Sequence, residues 1–388
     1  MRIINLSCIL IISAMFFGCA APFYESSKDT SDTMIRVAII QNEGSITFKN
    51  TGDKLELSYG NGKQTLQSGF TLKAQNGKVS MSGTVLGNTV KIIRNTSAHK
   101  ATVNGRNFAG EIRITASGSK LTVIETLPME EYLLGVVGEE MFKSWNVEAL
   151  KAQAVIARSF AYSKINPKKE YDITATTADQ VYKYPDIPHE NIKKAVQQTK
   201  RMILKYNNKI LMAYFHSYCG GATETPVNVW DSFKNGKTEV PAPYKKTKKD
   251  PYCKNTAPDN LKNWSFDISS NEVLNIAKNT NPNVSKVKKL KIGKKSKNGR
   301  PLYLTAYTND GQAEIDLAKL RTRIGATKMK STFITSIQKT DAGWTITGKG
   351  YGHGIGLCQY GAKGMADAGK NYKQILKYYY PGAKIEKY

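Results

Sequence analysis

The stretch that most constrains this chain runs from Leu127 to Tyr162, where two helical patterns meet at a short break. The first reads Leu127-Pro-Met-Glu-Glu-Tyr-Leu-Leu-Gly-Val-Val-Gly-Glu-Glu-Met141, and the second Glu148-Ala-Leu-Lys-Ala-Gln-Ala-Val-Ile-Ala-Arg-Ser-Phe-Ala-Tyr162. Pro128 suits the first turn of a helix that ends near Gly138. Asn146 suits the N-cap of a second helix from Val147 to about Ser163, with Glu148 in its first turn. On that helix Val147, Leu150, Ala154, Ala157 and Ala161 recur at helical spacing. The break carries Glu139 and Glu140 beside the apolar Met141 and Trp145. A carboxyl group held at such a junction has its pKa raised by desolvation, and can then act as a general acid near neutral pH.

Upstream, residues 35–125 alternate apolar and polar positions between Asn and Gly turns. Ile35–Ile40, Lys54–Ser58, Thr89–Ile93 and Lys120–Ile124 read as strands, and Asn61-Gly62, Asn76-Gly77 and Asn104-Gly105 as hairpin turns. Downstream, Pro188–Thr199 reads as a helix, and Met202–Tyr206 with Ile210–Phe215 as a hairpin across Asn207-Asn208. Residues 232–263, rich in Lys, Pro and Asn, read as a long loop. From Asn271 onward come a helix, basic strands through Lys291 and Tyr303, and two closing helices, Gln359–Ala368 and Tyr372–Tyr380. This order implies an α+β protein: an N-terminal antiparallel β module over 35–125, then a mixed α+β domain over 126–388.

The formal net charge of +26 over 388 residues makes the molecule attract polyanions and anionic surfaces. The dense runs at Lys245–Lys249 and Lys286–Lys297 each read, taken alone, as solvated loops. Residues 1–19 read as an export signal, with Arg2 followed by an apolar run from Ile9 to Phe17 that is short for a membrane span. The run stops at Phe16-Phe-Gly-Cys19, which resembles a lipoprotein processing site with Cys19 as the lipidated residue. Ordinary cleavage and an uncleaved anchor are the alternatives. Residues 20–34, Ser- and Asp-rich from Glu25 to Thr33, read as a flexible tether. Export argues against nucleic acid as a partner and for a lipid-anchored protein facing the wall or periplasm. Of five cysteines, Cys8 lies in the signal and Cys19 is accounted for. An odd remainder in an oxidising compartment implies one pair and one free thiol. Cys219–Cys253 is favoured because each lies beside a turn sequence. Cys358 is then a buried, inert thiol, although a pairing through Cys358 stays open.

Two further motifs follow the 127–162 pattern: Phe215-His-Ser-Tyr-Cys-Gly-Gly221 and Gly350-Tyr-Gly-His-Gly-Ile-Gly-Leu-Cys-Gln-Tyr-Gly-Ala362. In this order the three motifs resemble the SpoIID/LytB family of peptidoglycan lytic transglycosylases, and the resemblance spans residues 127–380. It implies an exported enzyme that cuts glycan strands between N-acetylmuramic acid and N-acetylglucosamine, needs no cofactor and works beside an amidase or other wall enzymes. It also implies a preference for glycan already stripped of stem peptides. One acid suffices for such chemistry: it protonates the leaving oxygen, then takes the proton of the muramoyl 6-hydroxyl as the 1,6-anhydro ring closes. Aligned to the family, the glutamate before Met is this acid, here Glu140; a one-residue shift would make it Glu139. Glu130 and Glu131, in a first helical turn, are better explained as dipole partners. Some relatives carry zinc on Cys and His in the segment ending Gln-Val-Tyr. This chain has Ala178 and Asp179 there, so no metal is expected at that position.

The resemblance also puts the Gly350–Gly361 segment beside the substrate groove. Its glycines leave room for positive φ and close approach of a ligand, but no Lys-Ser/Thr follows, which excludes a nucleotide loop. His353 and Gln359, with His216 and Ser217, are thereby assigned to sugar contacts, against the alternative of a structural turn with satisfied histidines. Tyr182, Tyr351 and Tyr360 lie inside motifs and offer faces for pyranose rings, although core packing accounts for them equally well. Arg158 either orients a carboxylate or substrate group or forms an ion pair. The rival class is a non-catalytic wall-binding protein that modifies or recruits an autolysin, in which Glu140 is dispensable.

Overall fold

The computed structural model describes residues 33–51, 54–66, 69–94 and 100–388. The export signal, Cys19 and all but the last two residues of the 20–34 tether lie outside them. The described chain is α+β. Its first part is two sheets packed face to face, antiparallel throughout except where Ile173–Thr174 joins Met34–Glu43 in parallel at one edge. One sheet has seven strands, with Met34–Glu43 and Lys120–Pro128 near one edge and Leu55–Tyr59 and Gly62–Leu66 at the other. The other has six, built around Ser45–Thr51 and Phe70–Gln75. Alternation does what period-2 sequence demands: Leu55 and Leu57, Ile112 and Ile114, and Leu121 and Val123 all point inward. Phe48 stacks on Phe70 and meets Phe108 edge-on. The Asn76-Gly77 and Asn104-Gly105 turns take positive φ at both residues, as two-residue hairpins require. At the third, the positive φ lies at Gly60 and Gly62 already belongs to the next strand, one residue earlier than the sequence pattern suggested.

The strand Lys120–Pro128 runs directly into helix α1 (Met129–Glu140), with Pro128 as its N-cap. Helix α1 continues through Gly138 to Glu140, two residues past the stop expected at Gly138. Gly138 is exposed, and burial of Leu133, Val136 and Val137 against the core carries the last turn across it. Helix α2 (Val147–Lys164) begins at Asn146, whose side chain accepts the Glu148 amide. Buried from Ala149 to Tyr162 on nearly every side, it is an internal helix. It packs against α1, the helix Glu190–Gln198, the strand Met202–Tyr206 and the two closing helices. One continuous core therefore runs from Ile35 in the sheets to Tyr380 near the C-terminus. A second core, from Trp264 to Ile346, is formed by two three-stranded sheets with the helices Ser270–Ala277 and Leu317–Ile324.

The expected hairpin after Asn207-Asn208 is shorter than its pattern. Only Lys209–Ile210 pairs back on Met202–Tyr206, whose other edge takes Lys384–Lys387. Phe215–His216 instead pairs in parallel with Leu357–Cys358, bringing two motifs far apart in the chain side by side. Gly356, at φ +73°, makes that approach feasible, because a Cβ there would run into the Tyr214 carbonyl. A buried carboxyl secures the sheet to the later segment. Glu125 accepts the backbone amides of Ala109 (2.6 Å) and Gly110 (2.9 Å) and the Tyr182 hydroxyl (3.0 Å). Burial pushes its pKa up against these bonds.

Candidate active site

Glu140 is the last residue of α1, three and four positions beyond the buried Val137 and Val136, so it leans toward the interior while Glu139 is exposed. Its half-buried carboxyl accepts the Val181 amide at 2.9 Å and the Gln359 side-chain amide at 3.3 Å. Burial raises its pKa to about 7, opposed by those two hydrogen bonds and reinforced by the neighbouring Glu139 charge. The helix end adds to this in direction, since the C-terminal dipole disfavours a carboxylate and the last turn holds no basic residue. An acid that is half protonated near neutral pH is the result.

Around it stand amides. Gln359 opens the helix Gln359–Asp367 and also approaches Gln153 on α2 at 3.5 Å. Gln180 accepts the Tyr132 hydroxyl at 3.1 Å. Gln153 and Gln180 are fully buried, and each leaves its Nε2 without a hydrogen-bond partner. Glu140's own partners include no second carboxylate. On the solvent side the loop after Glu140 carries Phe142, 62% exposed, whose ring lies 5.4 Å from Trp145, itself 5.0 Å from Tyr360. Two concavities of about 400 Å³ lie elsewhere, one beside Trp230 and Asp316 and one beside Tyr303 and Glu314.

Residues 117–206 match the family described as SpoIID, stage II sporulation protein, and residues 233–356 match a domain of unknown function. Stage II sporulation protein D of Bacillus amyloliquefaciens is 31% identical over 315 residues, 76% of this chain and 84% of that one. The chain belongs to the SpoIID family. An uncharacterised protein of Brachyspira hyodysenteriae is 35% identical over 290 residues, 74% of each chain. The amidase enhancer of Bacillus subtilis is 33% identical over 369 residues, covering 82% of this chain but only 50% of the longer relative.

Against this SpoIID framework several residues expected at the groove move inside. Arg158 does not face a groove: it is fully buried and gives a bidentate pair to Glu130 (2.9 and 2.7 Å) and a third bond to the Met202 carbonyl (2.9 Å). Glu130 is thus its ion-pair partner as well as a first-turn acid. Tyr182 is buried with its hydroxyl spent on Glu125, so it offers no face to a sugar. His216 is buried, its Nδ1 against the Ile355 carbonyl at 3.1 Å, and burial drives its pKa well below the usual imidazole value. Its ring groups with His353 (5.6 Å), and His353 with Trp230 (5.1 Å). The half-buried His353 accepts the Ile355 amide, and burial pushes its pKa down to about 3. Both imidazoles are therefore neutral at physiological pH. Ser217 and Tyr351 are half-buried. Ser217 accepts the Tyr360 amide through its backbone, and Tyr351 pairs with Tyr218. Tyr360 is 9% exposed at the inner end of the Phe142–Trp145 ridge. Gln359, among the expected groove residues, is the one that hydrogen-bonds Glu140. Asp179 accepts the Thr174 amide and hydroxyl and pairs with Lys164.

The expected Cys219–Cys253 disulfide is absent. The two sulfurs lie 3.5 Å apart, against about 2.05 Å for a bond, and Cys219, Cys253 and Cys358 are all buried free thiols. Cys358 is no bystander, since its sulfur accepts the Cys219 amide at 3.3 Å. Sequence reasoning also passed over Gln153, Gln180 and Phe142. The available signals were a lone amide in the apolar run of α2, another just before Val181, and an aromatic two residues beyond the acid.

Proposed function

We propose that this chain is an exported lytic transglycosylase of peptidoglycan glycan, with Glu140 as its single acid and base. The observation that carries the reading is a carboxyl at the rim of a buried amide cluster, raised to about 7. Protonated, Glu140 gives its proton to the oxygen leaving the muramoyl anomeric carbon. As carboxylate, it takes the proton of the muramoyl 6-hydroxyl while that oxygen bonds to the same carbon and closes the anhydro ring. The proton count balances without water and without a second carboxylate, which suits a site whose acid is flanked by amides. Lipidation at Cys19 would hold the enzyme at the membrane, and its net charge of +26 suits anionic wall polymers.

Mass spectrometry of wall fragments after incubation tests the reading. Anhydro-muramoyl ends support it, reducing ends indicate hydrolysis, and intact polymer removes it. The rate should also carry the acid's titration. Because the first step needs protonated Glu140, kcat/KM falls as pH rises through about 7, and a profile flat from pH 6 to 9 would contradict the assignment. Phe142→Ala should raise KM roughly fivefold to tenfold with little change in kcat, the value of one exposed sugar-stacking ring. An unchanged KM would take Phe142 out of the binding surface.

A second reading has its own support in the amidase enhancer relative. On that reading the chain binds wall glycan and stimulates an amidase without cutting it. The two readings separate on Glu140→Gln, which leaves amidase stimulation intact under the second and abolishes anhydro ends under the first.

A further inference from the structure

Three thiols and a carboxylate that the site does not use converge behind Gln359. Cys219, Asp250, Cys253 and Cys358 are all buried, and their ligand atoms lie within 4.8 Å of one another. They come from three separate segments: the turn after Phe215–His216, the Asp250-Pro-Tyr-Cys253 loop, and the N-cap of the helix Gln359–Asp367. The Cys219–Cys253 and Cys219–Asp250 separations are both 3.5 Å. That is too long for a disulfide and close to the roughly 3.8 Å edge of a tetrahedron whose metal–sulfur bonds are about 2.3 Å. Asp250 and Cys253 have the two-residue spacing of a paired ligand set.

The surroundings are those a thiolate cluster needs. The Cys358 sulfur accepts two backbone amides, from Cys219 (3.3 Å) and Gly361 (3.4 Å), the second at a helix N-terminus. Asp250 has one oxygen held by the amides of Tyr252 and Cys253, both at 3.1 Å. Its other oxygen takes the Tyr379 hydroxyl at 2.7 Å and faces Cys219. Such bonds orient ligands from outside the coordination sphere. Gly361 leaves the space for this packing, since a Cβ there would collide with the Asp250 carboxylate and the Tyr379 hydroxyl. The buried guanidinium of Arg300, within electrostatic reach of Glu224, bonds the Cys219 carbonyl at 3.1 Å and the Thr332 hydroxyl at 3.3 Å. It thus adds a positive charge beside a cluster that is anionic when loaded.

We propose that Cys219, Asp250, Cys253 and Cys358 bind one zinc ion as a closed, structural site. Three Zn–S bonds and one Zn–O bond form as three thiol protons leave to solvent. Four protein ligands leave no open position for substrate, so the ion staples the three segments and does no chemistry. Because Cys358 precedes Gln359, the staple also holds the amide that hydrogen-bonds Glu140. The site stands or falls independently of the reading of Glu140.

The test is metal analysis of the full chain purified with zinc supplied, together with cobalt substitution and thiol titration under denaturing conditions. The expected result is about one zinc per chain and a thiolate-to-cobalt charge-transfer band. Cys358→Ser and Asp250→Asn should each lower retained zinc at least about tenfold after dialysis against a chelator. The unsubstituted chain decides the matter even where a variant fails to fold. No bound zinc with Cys219, Cys253 and Cys358 all free overturns the proposal, as does a pair among these three that titrates only after reduction. Zinc retained undiminished in both variants would put the ion elsewhere and overturn it too.

Discussion

If the chain is the proposed transglycosylase, replacing Glu140 by Gln is expected to lower formation of anhydro-muramoyl ends by about a thousandfold, the scale of losing a positioned general acid, while the protein still folds. Gln keeps the size and can still accept the Val181 amide, so the loss comes from the missing proton rather than from collapse of the site. Glu139→Gln stays within about twofold, because its side chain is exposed. The two variants therefore distinguish neighbours that the sequence alone leaves interchangeable. Stability gives a second readout with the opposite sign. Glu140 titrates near 4.3 in the unfolded chain and at about 7 when folded, so the folded state holds the extra proton between those values. Its contribution to stability is complete below about pH 4.3 and is lost as pH rises through 7. Glu140→Gln removes that loss, so the variant gains on the parent between pH 5 and pH 8 in denaturant melts. A variant with full cleavage, or one whose relative stability does not move with pH, would count against a buried acid at 140.

Glu130→Ala is expected to destabilise the fold by about 3–5 kcal/mol, the usual cost of leaving a buried charge without its partner. Arg158 has no exposure, and two of its three hydrogen bonds go to this one carboxylate. Removing Glu130 also frees the Arg201 amide that its Oε1 accepts at 3.2 Å. The double replacement Glu130→Leu with Arg158→Met should recover most of the loss, since neither charge then needs burying. Urea midpoints of the parent, Glu130→Leu, Arg158→Met and the double replacement measure the coupling. A Glu130→Ala variant within about 0.5 kcal/mol of the parent would mean that Arg158 finds water or another partner, and that its burial is less complete than described.

Much of the architecture was legible because it is written in local pattern. Strand alternation from Ile35 to Ile124, the Asn146 cap and the apolar stripe of α2 each concern residues a few positions apart, and each formed where expected, although the strands begun at Ile35 and Lys120 run on to Glu43 and Pro128. The strand Ile210–Phe215 fell short because a distant partner claimed its far end: Leu357–Cys358 took Phe215–His216. Site residues fared unevenly for the same reason. Tyr182 and Arg158 lie in recognisable motifs, but a motif does not say whether a side chain faces a groove or a core.

What the amino-acid order settled unaided was that an acid stands at the end of a helix, with a second helix capped just beyond it, because periodicity and capping act over a few residues. Only the folded chain decided which of two adjacent glutamates turns inward. That choice rests on contacts such as Gln359 to Glu140, made across 219 positions. The pairing of Arg158 with Glu130 and the gathering of Cys219, Asp250, Cys253 and Cys358 are of the same kind. Each depends on burial and charge meeting in space, which no spacing along the chain encodes.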